Sequence, residues 1–321
     1  MKRRDVLAGL GGVALAGNAR AQGSNWPERL VRIVVAFGPG GSTDIIARIV
    51  GKQLETVTGK PFVVENKPGA TGMVGTTLVK NSPADGYTML LGSTSTLAAN
   101  PSLYKTMTYD PSDFTTVAVN GTTGNFMLVR NDAPYRTVKE FVAYAKSRQQ
   151  PMFSGYGNAS TRVPAALFEV TAGIKFEEVA YRDAVASIQD LQAGRVDVVF
   201  PDMVVGESYV RSNYVRALAV TSPKRSPQYP DVEAISETYP DYAMIAYSCF
   251  AVRKETPEDI KQRMNRLLMD ALYEPAVMEK VRQLGMTPEP QNMTIAQCEA
   301  FVAREREIWT RAIKLAKIEP Q

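Results

Sequence analysis

The 321-residue chain has a net charge of +4, 45% apolar and 22% charged residues, and no histidine. That length and composition fit one large or two medium globular domains and exclude a disordered or fibrous chain. The missing histidine excludes Ser-His-Asp and Cys-His nucleophile pairs and histidine metal sites, leaving only carboxylate, lysine or tyrosine chemistry.

Residues 1–21 read as an export signal. Lys2, Arg3 and Arg4 form a positive start, Leu7 to Gly17 is a short apolar run, and Ala19-Arg20-Ala21 is a small-x-small cleavage site, with cleavage after about Ala21. The run is too short to span a bilayer as a helix, and Gly9, Gly11 and Gly12 are poor material for a buried one. Arg3-Arg4 fits twin-arginine export, and Sec export fits as well. The segment holds four bases and one acid, so the mature chain is near +1. That leaves no electrostatic footprint for nucleic acid.

The spacing then predicts alternating strands and helices. Leu30 to Phe37 is a β-branched strand, and Thr43 to Thr56 is a helix with apolar residues at Ile45, Ile46, Ile49, Val50 and Leu54. Phe62 to Asn66 is a strand, Gly75 to Asn81 a helix and Tyr87 to Leu91 a strand. A second round follows: strand Phe126 to Val129, helix Thr137 to Ser147 opened by a Thr137/Glu140 capping box, strand Met152 to Tyr156, helix Ser160 to Thr171, strand Glu177 to Ala180, helix Ala184 to Ala193, and strands Val196 to Phe200 and Val215 to Val220. Ser222 to Pro230 is a surface loop, Ile245 to Val252 a last strand, and the chain from Pro257 is helical.

Two α/β rounds and a helical tail imply two lobes with parallel strands. The expected division is residues 22–124 plus 250–321 for the first lobe and 125–249 for the second. The tail packs back on the first lobe, and the two crossings, near 125 and 249, suit a hinge. Cys249 lies in an apolar strand and reads as a buried free thiol, although an exported chain could join it to Cys298.

Phe37-Gly38-Pro39-Gly40-Gly41-Ser42-Thr43-Asp44 sits between a strand and a helix. Glycines allow close backbone approach, and the helix start offers free N–H groups and partial positive charge to an anion. It lacks the Gly-Lys-Ser/Thr of a P-loop and narrowly misses a dinucleotide fingerprint at Thr43. A capped turn and an anion site fit these residues equally. Tyr156-Gly157-Asn158-Ala159-Ser160-Thr161 occupies the equivalent place in the second round, and Gly92 to Thr96, with Ser93 and Thr94, is a third hydroxyl-rich loop. All three follow strand ends, where open α/β sheets bind ligands. Tyr181-Arg182-Asp183 and Asp202 read first as helix N-caps. Their second reading is contact with an ammonium or hydroxyl group, which favours a zwitterion.

The stretches FGPGGSTDIIAR (37–48), ENKPGATGMVGT (65–76), ADGYTMLLGS (84–93), SLYKTMTYDPSDF (102–114), YRDAVASIQDLQAGRVDVVF (181–200) and VRALAVTSPKRSPQYPDV (215–232) are together specific. Across nearly the whole mature chain, the sequence resembles the Bug family (TctC-like) of extracytoplasmic solute-binding proteins of tripartite tricarboxylate transporters. The resemblance implies an α/β, two-lobed, type II-like periplasmic binding protein with mixed sheets flanked by helices and its ligand in the interlobe cleft. It implies no catalysis and no cofactor, a di- or tricarboxylate, aromatic acid or amino acid as ligand, a monomeric receptor, and two integral membrane transporter subunits as partners. A ligand carboxylate would be gripped by the loops matching Phe37–Asp44 (Phe37, Gly38, Gly41, Ser42, Thr43, Asp44) and Tyr156–Thr161 (Tyr156, Asn158, Ala159, Ser160, Thr161). Ser93, Thr94, Tyr181, Asp183 and Asp202 would shape the rest. Two departures fall near that pocket: the family often has Gly at Asp183, and often His where this chain has Arg162-Val163-Pro164. An exported sensor that presents the ligand to a signalling partner needs the same cleft, and a nucleotide-using enzyme is the remaining alternative.

Overall fold

In β1 (Val31–Val35), four of the five residues are fully buried, and β-branched side chains on both faces suit a strand covered on both sides. The computed structural model describes residues 25–321; the expected export signal, 1–21, lies outside them. β1 pairs in parallel with β2 (Phe62–Asn66) and β3 (Thr88–Ser93). The right-of-way between these strands is taken by α1 (Ser42–Thr58) and α2 (Met73–Lys80). α1 stops at Gly59, whose φ of 65° lets its N–H reach Glu55 O. A short helix, α3 (Asn100–Leu103), leads to β4 (Phe114–Gly124), an almost wholly buried strand.

β4 runs into the second sheet with only Asn125 before β5 (Phe126–Val129). There follow α4 (Val138–Ser147), β6 (Met152–Tyr156), α5 (Ala159–Ala172), β7 (Phe176–Ala180), α6 (Ala184–Gln192), β8 (Val198–Val199), α7 (Met203–Arg211), β9 (Arg216–Val220) and β10 (Glu233–Ala234). This sheet has the order β10-β9-β5-β8-β6-β7. β6 is parallel to β7 and β8, whereas β5 is antiparallel to β8 and β9, so the sheet is mixed.

β11 (Ile245–Arg253) returns the chain to the first sheet between β3 and β4, antiparallel to both. All of β11 lies in that sheet, so re-entry occurs at Ile245, slightly ahead of the expected 249. α8 (Glu258–Leu272), α9 (Pro275–Gln283), β12 (Met286–Thr287) and α10 (Ile295–Leu315) complete the chain. The first sheet reads β12-β4-β11-β3-β1-β2. α8 and α10 pack on β4, and α10 also touches α5 of the second half. Trp309 of α10 is fully buried and donates from Nε1 to Ile245 O at 3.1 Å.

The junction is held by side chains as well as strands. Asn125 Nδ2 donates to Phe200 O at 2.7 Å and to Ser160 O at 3.1 Å. Ser160 O is the carbonyl that Pro164, four residues on inside α5, cannot serve because proline lacks an N–H. Thr221 Oγ1 accepts from Asn125 N–H at 2.7 Å and donates to Met244 O at 2.8 Å, tying both crossings together. Cys249 and Cys298 are both buried and free, and burial raises both thiols, Cys298 to about 11.

Candidate functional site

The turn between β1 and α1 needs a left-handed residue, which Gly40 supplies at φ 80°. Gly41 is the N-cap of α1, and no side chain caps the helix. The first-turn N–H groups therefore remain available to an anion. Asp44 holds the loop from beneath. Its Oδ2 accepts from Gly40 N–H and from Arg48 Nε, each at 3.0 Å, and its Oδ1 accepts from Asn66 Nδ2 at 3.0 Å. Burial alone would raise this carboxyl, but bonds from Arg48, Gly40 and Asn66 outweigh it and hold it below the usual carboxylate range.

On the other side, three helices start with their own side-chain caps. Asn158 Oδ1 accepts from Thr161 N–H at 3.1 Å to start α5. Asp183 Oδ1 accepts from Ala186 N–H at 2.8 Å to start α6, and Asp202 Oδ1 from Val205 N–H at 3.1 Å to start α7. Gly157 lets the α5 loop lie directly on the α6 start; a Cβ there would come within 2.2 Å of the Asp183 carbonyl carbon.

The N-termini of α1, α5, α6 and α7 all converge on one pocket between the two sheets. Its floor includes Ser93 at the end of β3 and Ser95 in the helical turn that follows. Two hydroxyl bridges cross it: Ser42 Oγ donates to Asp202 Oδ2 at 3.0 Å, and Ser160 N–H donates to Ser95 Oγ at 3.1 Å. The interior is about 40 Å³, room for a few waters, so the cleft is drawn closed. A second chamber of about 30 Å³ shares Ser42, Thr43, Ser93, Ser160 and Asp202 with the first and reaches toward Tyr247, Ser248 and Met286. Ser93 Oγ and Tyr247 Oη are buried with no hydrogen-bond partner among the described residues. Burial raises the Asp202 carboxyl, against the opposing bonds from Val205 N–H and Ser42 Oγ.

Of the residues singled out in the sequence, Phe37, Gly38, Gly41, Ser42, Thr43, Ser93, Asn158, Ser160, Asp183 and Asp202 line this pocket. Thr94 lines the second chamber, but its hydroxyl is engaged by Tyr247 N–H at 2.8 Å. The others lie outside both linings. Asp44 is the strut described above. Thr161 Oγ1 accepts from Gly157 and Asn158 N–H groups, and Ala159 is buried in the first turn of α5. Tyr156 lies beneath Arg162, and Tyr181 Oη donates to Asp190 Oδ2 at 2.9 Å. Val185 and Val205 present apolar surface beside the two acids, and Tyr247 and Ser248 of β11 line the second chamber. No local signal marks them, since only the sheet order brings β11 beside β3.

Two α/β sheets joined by two strands, with a pocket between them built from helix N-termini, define a two-lobed solute-binding protein. The comparisons agree. A family model described as the tripartite tricarboxylate transporter family receptor, TctC, matches residues 46–318. The UPF0065 protein in the tcbD-tcbE intergenic region of Pseudomonas sp. strain P51 is 32% identical over 290 residues, 88% of this chain and 86% of that protein. The structure of R. palustris Rpa4515 with adipate has a TM-score of 0.88 at 29% identity, covering 92% of this chain and 100% of that one. The periplasmic binding protein BugD gives 0.86 at 28% identity, covering 92% and 100%. The chain belongs to the TctC family of tripartite tricarboxylate transporter receptors.

Proposed function

We propose that the protein is exported to the periplasm, binds a small organic carboxylate without transforming it, and delivers it as a monomer to two integral membrane subunits. One lobe comprises residues 25–124 and 245–321 and the other 125–244, and they close on the ligand about Asn125 and the start of β11. The observation that carries this reading is the uncapped N-terminus of α1 facing the pocket, where three neighbouring helices supply side-chain caps of their own. A carboxylate there would accept from the first-turn amides and the hydroxyls of Ser42 and Thr43, with Ser160 opposite. The Rpa4515 structure, with its adipate, supports the ligand class. A chain without histidine also lacks the usual general base for turning over a bound acid.

Thermal-shift screening against mono-, di- and tricarboxylates, aromatic acids and amino acids tests the proposal. A true ligand at a hundredfold excess over its dissociation constant stabilises the fold by about 2.7 kcal/mol. A panel in which no acid shifts the melting temperature, while nucleotides do, would reject it.

A further inference from the structure

Two carboxylates, Asp183 and Asp202, line the cleft, and among the described residues no lysine or arginine lines either chamber. Each acid spends Oδ1 on its own helix and turns Oδ2 elsewhere. Asp202 Oδ2 takes the Ser42 hydroxyl at 3.0 Å. Asp183 Oδ2 faces the opposite lobe, 3.9 Å from where a Cβ on Gly38 would sit. Its ion partner, Arg182 at 3.2 Å, is 83% exposed, and such a pair contributes little. α1 and α5 bring no acid to their caps, which are Gly41 and Asn158. The cleft is therefore polarised, with the uncapped start of α1 and the neutral Asn158 cap of α5 on one side and two helix starts already covered by carboxylates on the other. Ser93, only 8% exposed, lines both chambers with its hydroxyl unpartnered. A dicarboxylate dianion filling this space would set its second charge beside two acids, one of them buried.

We propose that the ligand is a zwitterion, a carboxylic acid bearing an ammonium group. Its carboxylate lies at the first turn of α1 with Ser160 opposite, its ammonium between the Oδ2 atoms of Asp183 and Asp202, and the Ser93 hydroxyl accepts or donates between them. The assignment rests on the reading of the cleft as a carboxylate receptor. It adds the sign of the second group, by which the receptor distinguishes amino acids from the dicarboxylates of the same length.

Calorimetric titration of the purified protein with matched pairs tests it: L-glutamate against glutarate, L-aspartate against succinate, and 4-aminobutyrate against butyrate, with adipate as a reference dianion. The amino member is expected to bind at least tenfold more tightly in the pairs that bind. Asp202→Asn and Asp183→Asn each shrink that gap at least threefold. Asparagine also serves as an N-cap, so both variants keep α6 and α7, and their melting curves verify it. Des-amino acids that bind as tightly as their amino partners, or a gap unmoved in both variants, overturn the proposal and leave the carboxylate receptor standing. No binding by any acid of either series overturns both readings.

Discussion

Ser42 and Asp202 come from opposite lobes and meet at 3.0 Å, the hydroxyl donating to the carboxylate in the middle of the cleft. Ser42 is the first residue of α1 and Asp202 the cap of α7, so one bond ties together two of the helix starts that build the pocket. A hydrogen bond to a charged group contributes about 1.5–3 kcal/mol, and each 1.4 kcal/mol is about tenfold in a population. Ser42→Ala should therefore shift the unliganded protein toward the open form. Small-angle scattering should show a larger radius of gyration without ligand; an unchanged value would mean the bond does not hold the lobes together.

The same acid sets a pH dependence. Burial raises the Asp202 carboxyl in the folded chain above its ordinary value of 3.8. The folded state then holds its proton more tightly than the unfolded state does. Stability from this group is greatest below the ordinary value and declines as pH rises through the interval up to the folded one. Asp202→Asn lacks that decline. Its melting temperature relative to the parent protein should rise between pH 4 and pH 7, and a difference independent of pH would contradict the assignment.

Gly157 makes a separate demand. An added Cβ would lie 2.2 Å from the Asp183 carbonyl carbon and 2.5 Å from Ala184 N, both backbone atoms that cannot swing aside. Gly157→Ala should force the α5 and α6 starts apart, costing about 1–3 kcal/mol of stability as overpacking does. Ligand affinity should fall at least tenfold, because two walls of the pocket move. Urea melts and calorimetry measure the two effects, and normal affinity would show that the loops are not held in register by this contact.

Asn125 is the corresponding point at the crossing. Asn125→Ala removes the donor from the carbonyls of Ser160 and Phe200 and leaves both without it. Unsatisfied buried polar groups cost roughly 1–3 kcal/mol each, so a loss of about 2–6 kcal/mol is expected in chemical denaturation. A loss under about 1 kcal/mol would mean that water replaces the side chain there.

β1, its glycine turn and α1 are legible in the sequence because a β-branched run gives way to apolar residues at helical spacing. β4 is not. Its second half, Val119-Asn120-Gly121-Thr122-Thr123-Gly124, shows no apolar alternation, and Asn120, Gly121 and Gly124 interrupt its strand formers, so it is a strand because β11 lies along its whole length. Gly121 is there because β12 crosses so closely that a Cβ would stand 2.6 Å from Thr287 O, and its φ is 135°. α7 is hidden by Gly206 in its middle, where a Cβ would meet the Phe126 ring at 2.7 Å. In the pocket, the glycine-hydroxyl loops and the two acids are visible as motifs, since each belongs to one strand end. Whether Ser42 caps its helix or faces a ligand is a question of ψ at Gly41, which at 164° makes Gly41 the extended cap and which no local pattern records. The apolar wall at Val185 and Val205 and the β11 side of the second chamber depend on distant segments meeting.

The most direct test of the central claim is a crystal structure of the protein with an organic acid selected by the thermal-shift panel. The account predicts a carboxylate between the lobes, within hydrogen-bond reach of the first-turn amides of α1 and of Ser160, with the bond from Ser42 to Asp202 broken or shared. A carboxylate bound outside this cleft, or within it but away from the start of α1, would contradict the account.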